Sequence, residues 1–259
     1  PAITDWMDKR KHPFIFTTEA SVNLADDDEL MKMMVDSGFE SVFLGIETPN
    51  EESLVECNKF QNNNRNLLGS IKKIQSFGFE VLGGFIVGFD NDSETIFNRQ
   101  IKFIEDSNII TAMVGLLNAT KNSALYNRLT KEKRILSTSS GDNTDFSMNF
   151  IPKMDKKKLI EGYKSIIKGI YSIKPYYARI RKVLKDKKDI KRKPVKIRYN
   201  HLKALMKSFF ILGIKDKGRF QYWKLMIWSL FHKPRSTMPK AVTYSIYGYH
   251  FRKVFASCI

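Results

Sequence analysis

Cysteine is almost missing from this 259-residue chain: Cys57 and Cys258 are the two present, far apart in sequence. That pair excludes a disulfide framework and any CxxC metal knuckle, and it fits a reducing, cytoplasmic setting. Histidine is equally sparse, with His12, His201, His232 and His250 too scattered to form a metal set. No run approaches the roughly 18 uninterrupted apolar residues of a membrane span, and the start, Pro1-Ala2-Ile3-Thr4-Asp5, lacks the basic-then-apolar order of a signal peptide. Acidic residues are scarce in one part only. Residues 1–150 hold 15 basic and 22 acidic side chains, a balance of −7, whereas residues 151–259 hold 29 and 5, a balance of +24. The two parts therefore meet different surroundings, and the second suits an anionic partner. The first residue is not Met, from which we expect a piece of a longer protein.

What is present is a beat of apolar runs that end on polar or glycine residues: Phe14 to Glu19, Ser41 to Glu47, Val81 to Asp90 and Thr111 to Leu117. The run from Ser41 to Ile46 is almost unbroken, which predicts a strand buried on both faces of a parallel sheet. Helical spacing fills the intervals. Ile3, Trp6 and Met7 precede Pro13; Leu30, Met33 and Met34 follow an Asx-rich turn at Asn23 to Asp28 and stop at Gly38. Leu67, Ile71 and Ile74 stop at Gly78, Phe97, Ile101 and Ile104 follow Ser93, and Leu125 and Leu129 mark a short last helix. Four strand-helix units predict an α/β fold with right-handed crossovers, either an open sheet or part of a barrel, since four strands are too few for the usual eight.

The pattern breaks at residues 137–150, a Ser/Thr/Asn/Asp-rich stretch read as a linker between a region at 1–136 and a basic, mainly helical region at 151–259. Leu159, Tyr163, Ile166, Ile167 and Ile170 make one amphipathic face there, and Ile180, Val183 and Leu184 another. Lys185 to Lys196 is nearly all charge. Leu202, Leu205, Met206 and Phe209 mark a further helix, Phe220 to Phe231 is dense in aromatics, and the last forty residues show a weak helical pattern.

Parallel α/β folds place ligands at the carboxyl ends of their strands. The candidates are thus Thr17, Thr18, Glu19 and Ser21; Glu47 and Thr48; Gly88 and Asp90; Leu117 and Asn118. Gly84 and Gly88 allow close approach of a flat ligand or of a neighbouring backbone, and equally suit packing or a bulge. Glu47, directly after a strand, either reaches a ligand or caps the next helix. Glu19 is the weak candidate for a catalytic group.

Three segments carry a resemblance: Glu19-Ala20-Ser21-Val22-Asn23-Leu24-Ala25-Asp26-Asp27, Gly45-Ile46-Glu47-Thr48-Pro49 and Gly84-Phe85-Ile86-Val87-Gly88-Phe89-Asp90. Together they resemble the third, fourth and fifth strand regions of radical S-adenosylmethionine (SAM) enzymes, in particular the subgroup with an amino-terminal cobalamin (B12)-binding domain and a carboxy-terminal domain of unknown function, to which hopanoid methylases are similar. The resemblance implies a partial (β/α) barrel of the TIM-barrel kind for residues 1–136, followed by that extra domain. It implies that Glu47 lies near the SAM ribose and amino group, that Gly84, Ile86 and Gly88 lie against the adenine, and that Leu117 and Asn118 complete the adenine pocket. It further implies SAM and a [4Fe-4S] iron-sulfur cluster as cofactors, cobalamin on an upstream domain, a methyltransferase outcome, a small-molecule or lipid-like substrate, and a reductant such as flavodoxin or ferredoxin.

The departure from the family is as informative. Its cluster hangs on three thiolates in CxxxCxxC, close-set soft ligands that this chain does not have. The first two strands and their cysteines are expected upstream, and this chain by itself is expected to be inactive. The competing reading is a non-catalytic α/β binding module with a basic docking domain. For that basic part, the aromatics at Phe220 to Trp228 and at Tyr244 to Phe255 beside lysines predict peripheral contact with an anionic membrane; nucleic acid is the less favoured partner, because no RNA-binding signature accompanies the charge.

Overall fold

The structure, a computed structural model, describes residues 1–138, 147–186 and 199–258. The charged linker Lys185 to Lys196 and the middle of the 137–150 stretch therefore lie mostly outside the described residues. A short helix α1 (Ala2–Lys9) leads into strand β1 (Phe16–Ala20), and a 3₁₀ turn (Val22–Asp26) leads into α2 (Asp28–Asp36). Then come β2 (Phe39–Glu47), α3 (Glu51–Glu56), α4 (Leu67–Ser76), β3 (Glu80–Val87), α5 (Ile96–Asp106), β4 (Ala112–Leu116) and α6 (Ala124–Lys131). The four strands pair in parallel in chain order, β1-β2-β3-β4. This is the α/β organisation that the apolar beat predicts.

Local chemistry sets the helix ends. The Asp27 carboxylate accepts from Leu30 N at 2.8 Å and caps α2, and Asn66 accepts from Gly69 N at 2.9 Å and caps α4. Gly38 and Gly78, with φ of 97° and 98°, end α2 and α4 in the left-handed conformation that glycine adopts freely. Two expectations need correction here. β1 starts two residues later than Phe14, which is exposed, so Glu19 lies within the strand and not beyond it. On α2, Met31 is the core residue and Leu30 points outward.

β2 is not buried on both faces. Val42, Leu44 and Ile46 are fully buried, while Ser41, Phe43, Gly45 and Glu47 are only partly covered, and β3 repeats the alternation. One face of the sheet packs under α4 and α5. The opposite face, carrying Glu19, Phe43, Gly84, Ile86 and Met113, is open.

The carboxy-terminal helices are α7 (Lys156–Ile170), α8 (Ile173–Asp186), α9 (Tyr199–Phe210), a π-helical turn (Ile211–Lys215), α10 (Arg219–Phe231) and α11 (Pro234–Cys258). The amphipathic face foreseen for α7 is buried throughout, against α5 and the outer edge of β4. That edge is sealed by side chains. Tyr171 Oη accepts from Ala112 N (3.2 Å) and donates to Ala112 O (2.8 Å), Tyr163 Oη donates to Val114 O (3.1 Å), and Asn118 Nδ2 donates to Leu116 O (3.4 Å). Four of the β4 backbone groups that face away from β3 thereby find side-chain partners without a fifth strand.

α11 abuts the amino ends of two strands, and α8, α9 and α10 pack on α11. Lys240 on α11 reaches Glu80 (3.3 Å) and Glu40 (3.8 Å), at the starts of β3 and β2. α11 is one 25-residue helix in spite of Pro239, a continuity that the weak periodicity hides. Its aromatics are mostly core: Tyr244 is buried, and Phe251 and Phe255 stack on Tyr171 at 4.6 and 6.3 Å. These three rings of the Tyr244 to Phe255 segment are thus engaged with the helical core. On α9, the helix that Leu202, Leu205, Met206 and Phe209 mark, Leu202 and Met206 are exposed.

Candidate functional site

The carboxyl end of β2 departs from regular strand geometry. Register with β3 runs Gly45 to Gly84 and then Glu47 to Phe85, so Ile46 is an extra residue, a β-bulge. Thr48 N donates to Ile46 O at 2.9 Å, closing a three-residue turn around Glu47, whose φ is 66°. A left-handed glutamate costs on the order of 1–2 kcal/mol. The surroundings hold it there: Asn62 Nδ2 donates to Gly45 O (3.1 Å) and Ile46 O (3.2 Å), and Gln100 Nε2 donates to Glu47 O (3.2 Å) and Ile86 O (3.2 Å). Two buried side-chain amides thus occupy carbonyls at the bulge.

The turn places the Glu47 carboxylate over Gly45, on the open face. A Cβ at Gly45 would stand 2.7 Å from Glu47 Oε1 and 2.9 Å from Lys59 Nζ, so glycine is required for the carboxylate to lie there. Lys59 pairs with Glu47 at 2.9 Å. Next on the same face, the Phe43 ring lies over Gly84, where a Cβ would meet it at 2.9 Å. Beyond, nothing lies within 4 Å of the Cβ direction of Gly115, and Met113 is half exposed. The open face therefore offers a carboxylate, an aromatic ring and free space in succession.

Around the end of β3 the loop is clasped by aspartates. Asp92 Oδ2 accepts from Gly88 N (2.9 Å) and Phe89 N (3.1 Å), while Oδ1 accepts from Ser53 Oγ (2.9 Å). Burial pushes the Asp92 carboxyl above its ordinary pKa in spite of these donors. Asp90 is buried between two guanidiniums, with Arg134 at 2.6 Å and Arg128 at 2.7 Å; Arg128 also holds Glu56 at 2.8 Å. Burial opposes ionisation of Asp90, and the hydrogen bonds from Arg134 and Arg128 overcome it, bringing its pKa down to about 2.

The sequence-derived candidates fall into three places. Glu47, Gly84 and Ile86 share the open face, with Glu19 exposed on β1 opposite Phe43. Gly88, with φ of 106°, and Leu117 meet in a buried contact: a Cβ at Gly88 would lie 3.1 Å from Leu159, 3.3 Å from Met148 and 3.7 Å from Leu117 Cβ. Asn118 is engaged elsewhere: besides Leu116 O, its amide nitrogen donates to Ser147 O (3.1 Å), and its oxygen accepts from Asn149 N (3.1 Å). The sequence reading missed Lys59, Asn62 and Gln100. Gln100 carried a usable signal, a polar residue three positions after Phe97 on the apolar face of α5; Lys59 and Asn62 sit in a loop without periodicity.

Cys57 is half-buried, burial pushes its thiol pKa up, and its Sγ donates to Leu54 O at 3.5 Å. Among the described residues, no group of three His, Cys, Asp or Glu side chains could hold a metal ion. Likewise among the described residues, no helix is long and apolar enough to cross a membrane.

An uncharacterized methyltransferase of Synechocystis is 37% identical over 249 residues, 95% of this chain and 46% of that protein. A hopanoid C-2 methylase of Rhodopseudomonas palustris is 30% identical over 156 residues, 60% of this chain and 29% of that protein. A bacteriochlorophyllide d C-12(1)-methyltransferase of Chlorobaculum tepidum is 25% identical over 152 residues, 58% of this chain and 33% of that protein. The chain thus spans about half or less of the length of these relatives. Residues 123–259, which run from α6 to the end of α11, match the family described as the domain of unknown function DUF4070, and the chain belongs to that family.

Proposed function

We propose that this chain is part of a methyltransferase of the radical SAM type and that the open face at the carboxyl end of its sheet receives the adenosyl and amino-acid parts of SAM. The observation that carries the reading is Glu47. A strained, buttressed carboxylate at a strand end, over a glycine and beside an aromatic ring, is placed for a ligand and not for packing. The methyltransferase names of the relatives, one aligned along 95% of this chain, support the reaction class.

The residues fit that ligand. Lys59 Nζ stands 2.9 Å from the Glu47 carboxylate, where the ammonium of an amino acid would stand, and the hydroxyls of a ribose suit the same acceptor. Ile86 and the Phe43 ring offer apolar surface to a heterocycle, and Asp92 fixes the turn at Gly88 that ends the neighbouring strand. SAM supplies an activated sulfonium from which a carbon group departs; the protein binds and orients it and excludes water. The donors present do not fit an iron-sulfur cluster, whose thiolates would have to come from residues outside this chain. In this reading the four strands are part of a larger partial barrel, the substrate is a small or lipid-like molecule that gives up a hydrogen atom, and a flavodoxin- or ferredoxin-type reductant would supply the electron that reductive cleavage of SAM consumes.

The test is anaerobic reconstitution of the full-length protein with iron, sulfide and a reductant, followed by assay of SAM turnover. Reductive cleavage of SAM is the expected result. Its absence in protein that has taken up a cluster overturns the reading.

A further inference from the structure

α10 is apolar on two sides. Tyr222, Leu225, Met226 and Ser229 face inward and are buried, while Phe220, Trp223 and Ile227 on the other side are exposed. A helix that is apolar all round is normally enclosed. α9 presents a matching outer row, Leu202, Met206 and Phe210, each more than half exposed. The two rows belong to one surface: Trp223 donates through Nε1 to Gly213 O at 2.9 Å and packs 5.5 Å from Phe209, which joins α10 to the end of α9. Of the 22 large apolar side chains exposed among the described residues, ten fall within residues 199–231. Such concentration marks an interaction site.

Charge decides what covers it. Residues 199–259 contain eleven Lys and Arg and a single acidic residue, Asp216, whose carboxylate is taken by Arg252 at 3.0 Å. Cations stand directly on the exposed rings, Lys215 4.6 Å from Phe210 and Arg219 5.2 Å from Phe220, with Lys203, Lys207 and Lys224 between the apolar residues. A second copy of this chain would bring like charge against like. A polyanion such as RNA would meet the lysines but leave the aliphatic residues Leu202, Met206 and Ile227 without a role. An anionic bilayer satisfies both, with headgroup phosphates on the cations and acyl chains beneath the rings.

We propose that the outer face of α9, the π-helical turn and α10 lies in the surface of an anionic lipid bilayer. The face is peripheral, since no described helix is long and apolar enough to cross. It belongs to the helical bundle whose α11 holds the starts of β2 and β3 through Lys240. The inference stands independently of methyl transfer.

The experiment is co-sedimentation of the full-length protein with vesicles of phosphatidylcholine, with and without phosphatidylglycerol, at low and high salt. Binding is expected to need the anionic lipid and to weaken with salt. Phe220→Ser with Ile227→Ser, and separately Lys207→Glu with Lys224→Glu, should each reduce it by about tenfold or more while the thermal transition stays put. Equal binding to both vesicle types, or loss with the charge pair but not with the apolar pair, overturns the proposal, the latter in favour of a soluble polyanion. So does self-association that Ile227→Ser abolishes, which would make the face a contact between copies.

Discussion

The ammonium of Lys59 closes a 2.9 Å ion pair with the carboxylate of Glu47 directly above Gly45, on the open face of the sheet. If the carboxylate is a ligand acceptor, Lys59 competes for it. Glu47→Gln should weaken SAM binding by about tenfold, the loss of one charge-assisted hydrogen bond, whereas Lys59→Met should leave it unchanged or tighten it. Calorimetric titration with SAM reads both. Equal weakening by the two variants would show that the pair is structural.

Gly162 on α7 has no room for a side chain, because a Cβ there would overlap the ring of Phe97 on α5. Gly162→Ala should cost about 1–3 kcal/mol by overpacking, measured by denaturant unfolding. The double variant with Phe97→Leu should recover much of it. Independent, additive losses would mean that the two helices are not in contact.

Asp90 gives stability a definite pH dependence. Its carboxyl titrates in the native protein at about 2, against 3.8 ordinarily, so its contribution is fully present above about 4 and is lost as pH falls toward 2. The shift corresponds to about 2 kcal/mol. Asp90→Asn should flatten the acid limb of stability in that window and lower stability at neutral pH. An unchanged acid limb would place the titration elsewhere.

Tyr171 ties α7 to the first residue of β4 through both backbone groups of Ala112, and burial drives its phenol well above the ordinary tyrosine range. Tyr171→Phe keeps the ring stack on Phe251 and loses only the hydroxyl. A loss of about 1–3 kcal/mol is expected, with faster hydrogen exchange at Ala112 and little change at β2. Uniform exchange across the sheet would argue against a local tie.

The strand-helix beat was legible because each unit buries its own apolar face, as Leu67, Ile71 and Ile74 do on α4. The open face was not, since a run such as Val42-Phe43-Leu44 reads the same whether Phe43 meets a helix or empty space. Glu47 was legible as a strand ending; its left-handed conformation was not, because that depends on Asn62 and Gln100 arriving from loops and helices distant in sequence. In the basic part, Leu202 and Met206 have the spacing of core residues and are exposed, since periodicity marks an apolar face without saying what covers it. Tyr244 and Phe255 show the reverse, residues read as surface that are held within the bundle.

The hydroxyls of Tyr163 and Tyr171 and the amide of Asn118 occupy the outer ladder of β4, and among the described residues no strand occupies the outer ladder of β1. The sheet is consequently polar in its capacity to grow. A further strand can be templated on β1 by the backbone alone, whereas one approaching β4 would first have to evict three side chains that already hold its hydrogen bonds.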